Sequence, residues 1–142
     1  MQNIILALAL VLLTSLASIA QCDKKIKWQA AKAEMIDQSG TVMDTKEGIT
    51  ITSDSKKILF ELAAEPDNPL EGVVNETACE WKEAFKNGKT VIKANISGRD
   101  GNSSPATITI EGKDGKLTLI LDMERMQGRK VRMNLDKYEV TE

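Results

Sequence analysis

The sequence predicts an antiparallel all-β domain of about seven to eight strands that follows an N-terminal secretion signal. Three observations predict it: an uncharged apolar run near the N-terminus, alternation of apolar and polar residues with a period of two along most of the remaining chain, and turn-forming pairs between the alternating runs. We expect the strands to form a small meander barrel, with a two-sheet β-sandwich as the alternative.

The N-terminal run has the features of a signal peptide. Residues 4–17 are apolar except for Thr14 and Ser15, and small residues at Ser18 and Ala20 follow. The run is shorter than the ~20 residues that a membrane-spanning helix needs. We therefore expect cleavage between Ala20 and Gln21, a signal peptide over residues 1–20, and one domain over residues 21–142. A lipoprotein acylated on Cys22 is the alternative.

The interpretation of the two cysteines depends on the predicted export of the protein. An oxidising compartment permits a disulfide between Cys22 and Cys79. Closure of so long a loop would stabilise the fold by ~2 to 4 kcal/mol. The alternatives are two unpaired thiols, with Cys79 buried as a small apolar side chain, or acylation of Cys22, which would make the bridge impossible.

The sequence of the first half of the domain predicts a strand and a hairpin. Ile26, Trp28 and Ala30 alternate as in a strand, although the composition of residues 26–37 also suits a helix, so both remain open with the strand preferred. Residues 48–52 and 57–63 flank a Ser-Asp-Ser turn and form a hairpin. Its expected core residues are Ile49, Ile51, Ile58, Phe60 and Leu62.

The segment from Thr77 to Ser97 predicts a second hairpin around Asn87 and Gly88, a pair that favours two-residue type I′ turns. Pairing of Lys86 with Lys89 sets the expected register. One face is then mainly apolar and places Cys79, Trp81, Glu83 and Phe85 opposite Ile96, Ala94, Ile92 and Thr90. We expect Glu83, near the end of the hairpin, to reach water.

A third hairpin joins residues 106–111 to 116–122 through Asp114 and Gly115. Its register pairs Ile108 with Leu121 and Ile110 with Leu119. The last strand covers residues 130–136, with a possible extension through Tyr138 and Val140. Its inward side chains are Val131, Met133 and Leu135.

Composition argues against several function classes. The 19 basic and 21 acidic residues give a net charge of −2 with no block of five basic residues, so we expect no nucleic-acid partner. The chain has no histidine, which removes the commonest general base and the His-dependent nucleophiles. Two cysteines cannot form a structural zinc site alone. We expect no enzyme, cofactor or metal.

Two irregular stretches are the candidate binding loops. Residues 65–76 contain Pro66 and Pro69 and place Leu70, Val73 and Val74 close together, as an interaction loop or simply as cover for the end of the sheet. Residues 98–105 contribute Arg99, Asp100 and Asn102. The oxygen-bearing residues from Asp100 to Glu111 match a calcium-loop spacing in part, but Pro105 stands where that loop needs glycine.

A small exported meander with Trp28 in its first strand and Arg132 in its last, and with hairpins from Thr77 to Val140, resembles the lipocalin-like (calycin-type) barrels. Ile26 replaces the family's glycine two residues before the tryptophan. The resemblance implies a barrel whose mouth takes an apolar small ligand.

These observations lead to two functional hypotheses. The first is a non-enzymatic exported binding protein, periplasmic or extracellular, for an apolar small ligand. The second is a secreted protein-binding module, such as a protease inhibitor or an immunity protein, that presents a rigid loop or a sheet edge. Neither hypothesis requires insertion in a membrane after signal cleavage.

Overall fold

The computed structural model describes residues 22–98 and 100–141. The predicted signal peptide, its cleavage point between Ala20 and Gln21, and Arg99 lie outside the described residues. The strands are β1 (Lys25–Ile36), β2 (Val42–Ser53), β3 (Lys57–Leu62), β4 (Glu65–Glu83), β5 (Asn87–Ser97), β6 (Ser103–Lys113), β7 (Lys116–Met123) and β8 (Lys130–Thr141), with a 3-10 turn at Glu124–Met126.

The strands form one antiparallel meander that closes into a barrel. Each strand pairs with the next along the chain, and β8 returns to pair with β1. The all-β prediction is confirmed, and the barrel is the architecture found. Because the strands alternate in direction, β1 begins at the same end as β2 ends. We call this the N-terminal end, and the opposite one, which carries the β1–β2 turn, the distal end.

The barrel interior is filled with side chains. Alternate residues point inward along most of the barrel wall, with a break in β1 between Ala30 and Ala33. Six aliphatic residues are at most 1% exposed: Ile51, Ile58, Ile96, Ile108, Ile110 and Leu119. Trp28 is 2% exposed. The cavity bordered by Trp28, Trp81 and Phe85 measures about 20 Å³. Such packing stabilises the domain through buried apolar area.

Most local predictions are confirmed by the register. Residues 25–36 form a strand rather than a helix. In the third hairpin Ile108 pairs with Leu121 and Ile110 with Leu119, as expected. The last strand continues through Tyr138 and Val140 to pair with β1.

The predicted β4–β5 turn is wrong. The chain turns at residues 84–86, where the Lys86 N–H donates to the Glu83 carbonyl at 3.1 Å. Asn87 and Gly88 already belong to β5, and Cys79 pairs with Thr90 rather than with Ile96. The register differs from the prediction by six residues. Since six is even, Trp81 and Ile92 keep their inward orientation.

Aromatic packing explains this turn. Phe85 adopts φ 56°, which is uncommon for a bulky residue. Its ring lies 5.3 Å from the Trp28 ring, 5.5 Å from that of Trp81 and 4.9 Å from that of Tyr138. Burial of Phe85 in this cluster offsets the backbone cost of the turn. The favoured Asn-Gly pair is used inside a strand instead.

The predicted irregular stretch 65–76 is also wrong, since all of it belongs to β4. A short turn at residues 63–64 pairs Leu62 with Glu65, and the next pair is Phe60 with Leu70. Residues 66–69 therefore bulge out of the β3–β4 ladder. A bulge accommodates proline because its N–H is not needed for pairing.

Candidate functional site

The β2 edge, which we define as residues 42–47, is an unpaired strand edge. On one side these residues pair with β1, for example Thr45 with Glu34 and Glu47 with Lys32. On the other side the β3 pairing stops at Ile49, and no other described strand pairs there. All six residues are exposed, including Val42 at 45% and Met43 at 55%. Such an edge can accept a further strand.

The hydrogen bonds around β3 show which backbone groups the edge offers. The Asp54 N–H donates to the Lys57 carbonyl at 3.0 Å, and the Ala63 N–H donates to the Gly48 carbonyl at 2.8 Å, so the even-numbered residues of β2 point toward β3. The β1–β2 register is unbroken from Ser53 to Asp44. The inward face, however, changes at Gly48, whose φ is 65°: the buried Ala33 pairs with the even-numbered Lys46, whereas the inward residues of β2 beyond Gly48 are the odd-numbered Ile49 and Ile51. The backbone groups of Lys46 therefore face β1. Those of Thr45 and Glu47 face the unpaired side, where the Thr45 N–H donates to the Asp44 carboxylate at 2.9 Å.

A groove lies at the base of the β2 edge, beside Gly48. Its volume is about 480 Å³. Apolar lining comes from Ala30, Ile49, Leu62, Ala63 and Pro66, and polar lining includes Gln29, Glu61 and Lys137. The groove could therefore accommodate an apolar side chain next to the strand edge.

The turn at the tip of the β1–β2 hairpin is held by Asp37. Its carboxylate accepts the Ser39 hydroxyl at 2.6 Å and the backbone N–H groups of Ser39 and Thr41, each at 2.9 Å. The Ser39 hydroxyl, followed by the Thr41 N–H, holds the pKa of the Asp37 carboxyl below its ordinary value. Behind the tip, Lys46 pairs with Asp44 at 3.5 Å. These contacts order the turn that precedes the β2 edge.

Three other parts of the barrel are incompletely paired. Residues 65–70 of β4 precede the first β5 pair, Glu71 with Ser97, but Pro66 and Pro69 provide no N–H there. Residues 75–83 of β4 extend beyond the last β3 pair, Lys57 with Val73, and Cys22 is bonded to Cys79 within them. Residues 136–141 of β8 extend beyond the last β7 pair, and there the Phe85 ring packs 4.9 Å from that of Tyr138.

The disulfide prediction is confirmed, since Cys22 and Cys79 are bonded with their Cα atoms 6.2 Å apart. The Thr90 hydroxyl lies 3.5 Å from the Cys79 sulfur and accepts the indole N–H of Trp81 at 2.8 Å. The bond indicates an oxidising compartment. A bonded Cys22 sulfur has no valence for an acyl chain.

The first predicted loop is not a loop in the structure. Leu70 and Val74 are partly buried and pack against the core from β4. Val73, 61% exposed, lies on the outer face between Lys57 and Asn95. The three residues thus form no single surface. The alternative expectation, that these residues cover the sheet, applies to Leu70 and Val74.

The second predicted loop, the turn between β5 and β6, lies at the distal end. Asp100 accepts the Asn102 backbone N–H at 3.0 Å and its side-chain N–H at 3.2 Å, and Arg125 lies 3.9 Å away. The backbone N–H of Asn102 is the main reason that the pKa of Asp100 is lowered. Asp100 is thus engaged within its own turn, and no cluster of acidic, His or Cys side chains in the described residues could hold a metal.

The two residues that carried the family resemblance lie on opposite faces of the barrel wall. Trp28 points inward and its indole N–H donates to the Ser53 hydroxyl at 3.2 Å. Arg132 is on the outer face and binds Glu34 at 3.2 Å. The topology is consistent with a lipocalin-like barrel. In comparisons with family models, curated proteins and solved structures, no significant match to the chain was found.

No helix in the described part of the chain is long and apolar enough to cross a membrane. The β2 edge was missed by the sequence analysis because residues 44–47, Asp-Thr-Lys-Glu, show no apolar alternation. Only the β-branched Val42 and Thr45 hinted at strand structure. The paired partners of a strand, and hence its free edge, are tertiary properties.

Proposed function

We propose that this protein is a non-enzymatic exported binding module that adds an extended segment of a partner protein to the β2 edge. The unpaired edge of the exposed residues 42–47 carries the proposal. Addition of a strand would pair backbone groups that no described strand pairs with, and side-chain contacts would provide selectivity. A protease inhibitor or an immunity protein would act in this manner.

The barrel interior favours this function over the small-ligand hypothesis. Pockets for small molecules usually measure about 300 to 1,000 Å³, whereas the cavity beside Trp28 and Phe85 measures about 20 Å³. A lipocalin-like apolar ligand would have to displace core side chains. The small-ligand hypothesis stays a prediction, and the filled core supports the protein-binding alternative.

The side chains of the β2 edge indicate what kind of segment would bind. Met43 and Val42 supply exposed apolar contact, and the neighbouring groove can take an apolar side chain of the incoming strand. Lys46 and Asp44 present one charge of each sign. We therefore expect an extended segment of mixed polar and apolar residues that contains no proline at the paired positions.

The same proposal places the protein outside the cytoplasm, in a periplasm or in the extracellular space. The Cys22–Cys79 disulfide and the apolar N-terminal run support export. A rigid disulfide-bonded barrel suits an exported binding module, because it presents the edge without an ordering cost.

The test uses peptides selected from a random library displayed on phage against the exported protein. The affinity of the best peptide is then measured by calorimetry for wild type, Thr45→Pro and Thr45→Ala. Proline removes one N–H from the unpaired side, whereas alanine keeps it and removes only the side chain beyond Cβ. We expect Thr45→Pro to weaken binding about tenfold or more and Thr45→Ala less than about threefold.

Thermal unfolding of both variants shows whether the barrel is intact. Hydrogen exchange should reveal slower exchange of the Thr45 and Glu47 amides in the peptide complex. Selected peptides that bind Thr45→Pro as tightly as wild type, or that protect amides elsewhere, would contradict the proposal. So would the failure of every selected peptide to bind the folded protein.

A further inference from the structure

Charge is segregated between the two ends of the barrel. The N-terminal end comprises residues 22–27, 54–57, 80–89, 111–116 and 137–141, with eleven lysines and seven carboxylates, a net charge of +4. The described residues of the distal end, 34–47, 61–71, 97–98, 100–103 and 122–132, hold eleven carboxylates and five basic residues, a net charge of −6. The overall charge of −2 hides this separation.

The eleven basic residues of the N-terminal end are all lysines and all exposed. They come from the N-terminal segment, three turns and the last strand: Lys24, Lys25, Lys27, Lys56, Lys57, Lys82, Lys86, Lys89, Lys113, Lys116 and Lys137. They are spread over the end of the barrel instead of following a groove. The arginines of the described chain, Arg125, Arg129 and Arg132, lie at the distal end.

Two exposed apolar side chains accompany these lysines. Tyr138 is 46% exposed and Val140 is 37% exposed, both on β8 at the N-terminal end. The Tyr138 ring packs 4.9 Å from Phe85 and 5.9 Å from Trp28. It is therefore a fixed aromatic group with a polar tip, the type of side chain that prefers the boundary between water and lipid.

We propose that the N-terminal end of the barrel lies against the surface of an anionic lipid bilayer. Each lysine near such a surface contributes favourably to binding, and salt weakens this contribution. Lysine suits a diffuse layer of lipid headgroups as a mobile point charge, whereas paired recognition of individual phosphates in nucleic acids favours the arginine fork. The absence of arginine from this end supports lipid over nucleic acid.

The position of the chain start supports the same orientation. Cys22, the first described residue, is bonded to Cys79 at the N-terminal end, so the preceding residues join the domain there. Those residues include the apolar run 4–17, which the sequence predicts to be a signal peptide. A signal peptide there would hold this end beside the membrane until cleavage. The β2 edge, at the distal end, then points away from the bilayer. The inference does not depend on the function proposed for that edge.

The test is co-sedimentation of the exported protein with vesicles of phosphatidylcholine alone or with about 30 mol% phosphatidylglycerol, at low and at physiological salt. The end variant carries Gln in place of Lys24, Lys25, Lys56 and Lys57. The matched control carries Gln in place of Lys32, Lys46, Lys93 and Lys130, which pair with carboxylates outside the N-terminal end. Both variants lower the net charge by four.

We expect wild type to bind only the anionic vesicles, the end variant to bind at least about tenfold more weakly, and the control to change less than about threefold. Equal weakening of both variants would show that only net charge matters and would overturn the proposal. So would absence of binding by wild type at low salt, or tighter binding to a single-stranded oligonucleotide at equal concentration of negative charge. None of these outcomes depends on the β2 edge.

Discussion

Two glycines illustrate how single residues fix the β4–β5 register. Gly88 in β5 pairs with Gly112 in β6, and the Trp81 indole lies over both. A Cβ atom at Gly88 would lie 2.2 Å from the Glu80 carbonyl oxygen and 2.6 Å from the Trp81 Cα. Only glycine permits this approach, because both neighbouring atoms belong to the backbone. The residue that predicted a turn is needed for packing.

We predict that Gly88→Ala lowers the free energy of unfolding by about 2 kcal/mol or more, since the new methyl group cannot be accommodated without moving β4. Gly115→Ala is the matched control. Gly115 also has positive φ, 81°, but no atom lies within 4 Å of its Cβ position, so only the cost of the conformation, about 1 kcal/mol, applies. Urea denaturation measures both, and equal losses would contradict the steric explanation.

At the scale of elements, unpaired edges arise where a strand extends beyond the end of its neighbour. The six-residue β3 leaves the β2 edge unpaired at the distal end and residues 75–83 of β4 unpaired on its β3 side at the N-terminal end. The chain covers the second with the Cys22 segment and leaves the first open. This difference is what distinguishes a candidate binding edge from a protected one.

We predict that replacing both cysteines by serine lowers the free energy of unfolding by ~2 to 4 kcal/mol, because the bond closes a 57-residue separation in the unfolded chain. Hydrogen exchange should accelerate most in residues 75–83. Thiol titration of the unfolded, non-reduced protein supplies the control and should detect no free thiol. Two titratable thiols would show that the bond does not form.

At the scale of the whole molecule, closure depends on contacts between the first and last strands. Glu34 in β1 accepts a hydrogen bond from Arg132 in β8 at 3.2 Å and lies 3.4 Å from Lys32. The Arg132 hydrogen bond, followed by that of Lys32, holds the pKa of Glu34 below its ordinary value. These polar contacts lie on the outer face, and Ala30 with Leu135 closes the same seam from inside.

A lowered pKa makes the contribution of Glu34 dependent on pH. The folded state binds the proton less readily than the unfolded state, so this stability is present above the ordinary glutamate pKa and is lost as the pH falls through the lowered value. We predict that Glu34→Gln reduces stability at neutral pH and makes the loss of stability on acidification smaller than in wild type. Urea denaturation from pH 7 to about pH 3 measures the difference.

Arg132→Gln provides the control for that measurement. It should remove most of the same pH dependence, and combining it with Glu34→Gln should add little, because the two side chains act as one pair. Independent, additive effects of the two substitutions would contradict the assigned pair. A variant with unchanged acid sensitivity would show that other carboxylates dominate.

The amino-acid sequence by itself determined most of the strands, their inward faces and much of the core. Residues 106–123 illustrate this, because alternation and the Asp114–Gly115 turn are local signals that the structure reproduces pair by pair. The disulfide was one of the alternatives that the two cysteines and a predicted export signal left open. Alternation repeats every two residues, so it specifies which face of the sheet a side chain occupies. It does not distinguish between registers that differ by an even number of residues.

Tertiary structure decided the rest. It moved the β4–β5 turn to Phe85, whose ring is buried among aromatic side chains from other strands, and it packed Leu70 and Val74 against the core from β4 instead of leaving them in a loop. It also left the β2 edge unpaired and gathered eleven dispersed lysines at one end. Edges and charge segregation depend on which distant strands pair and where they stop, and that is set by packing across the closed barrel rather than by any local segment.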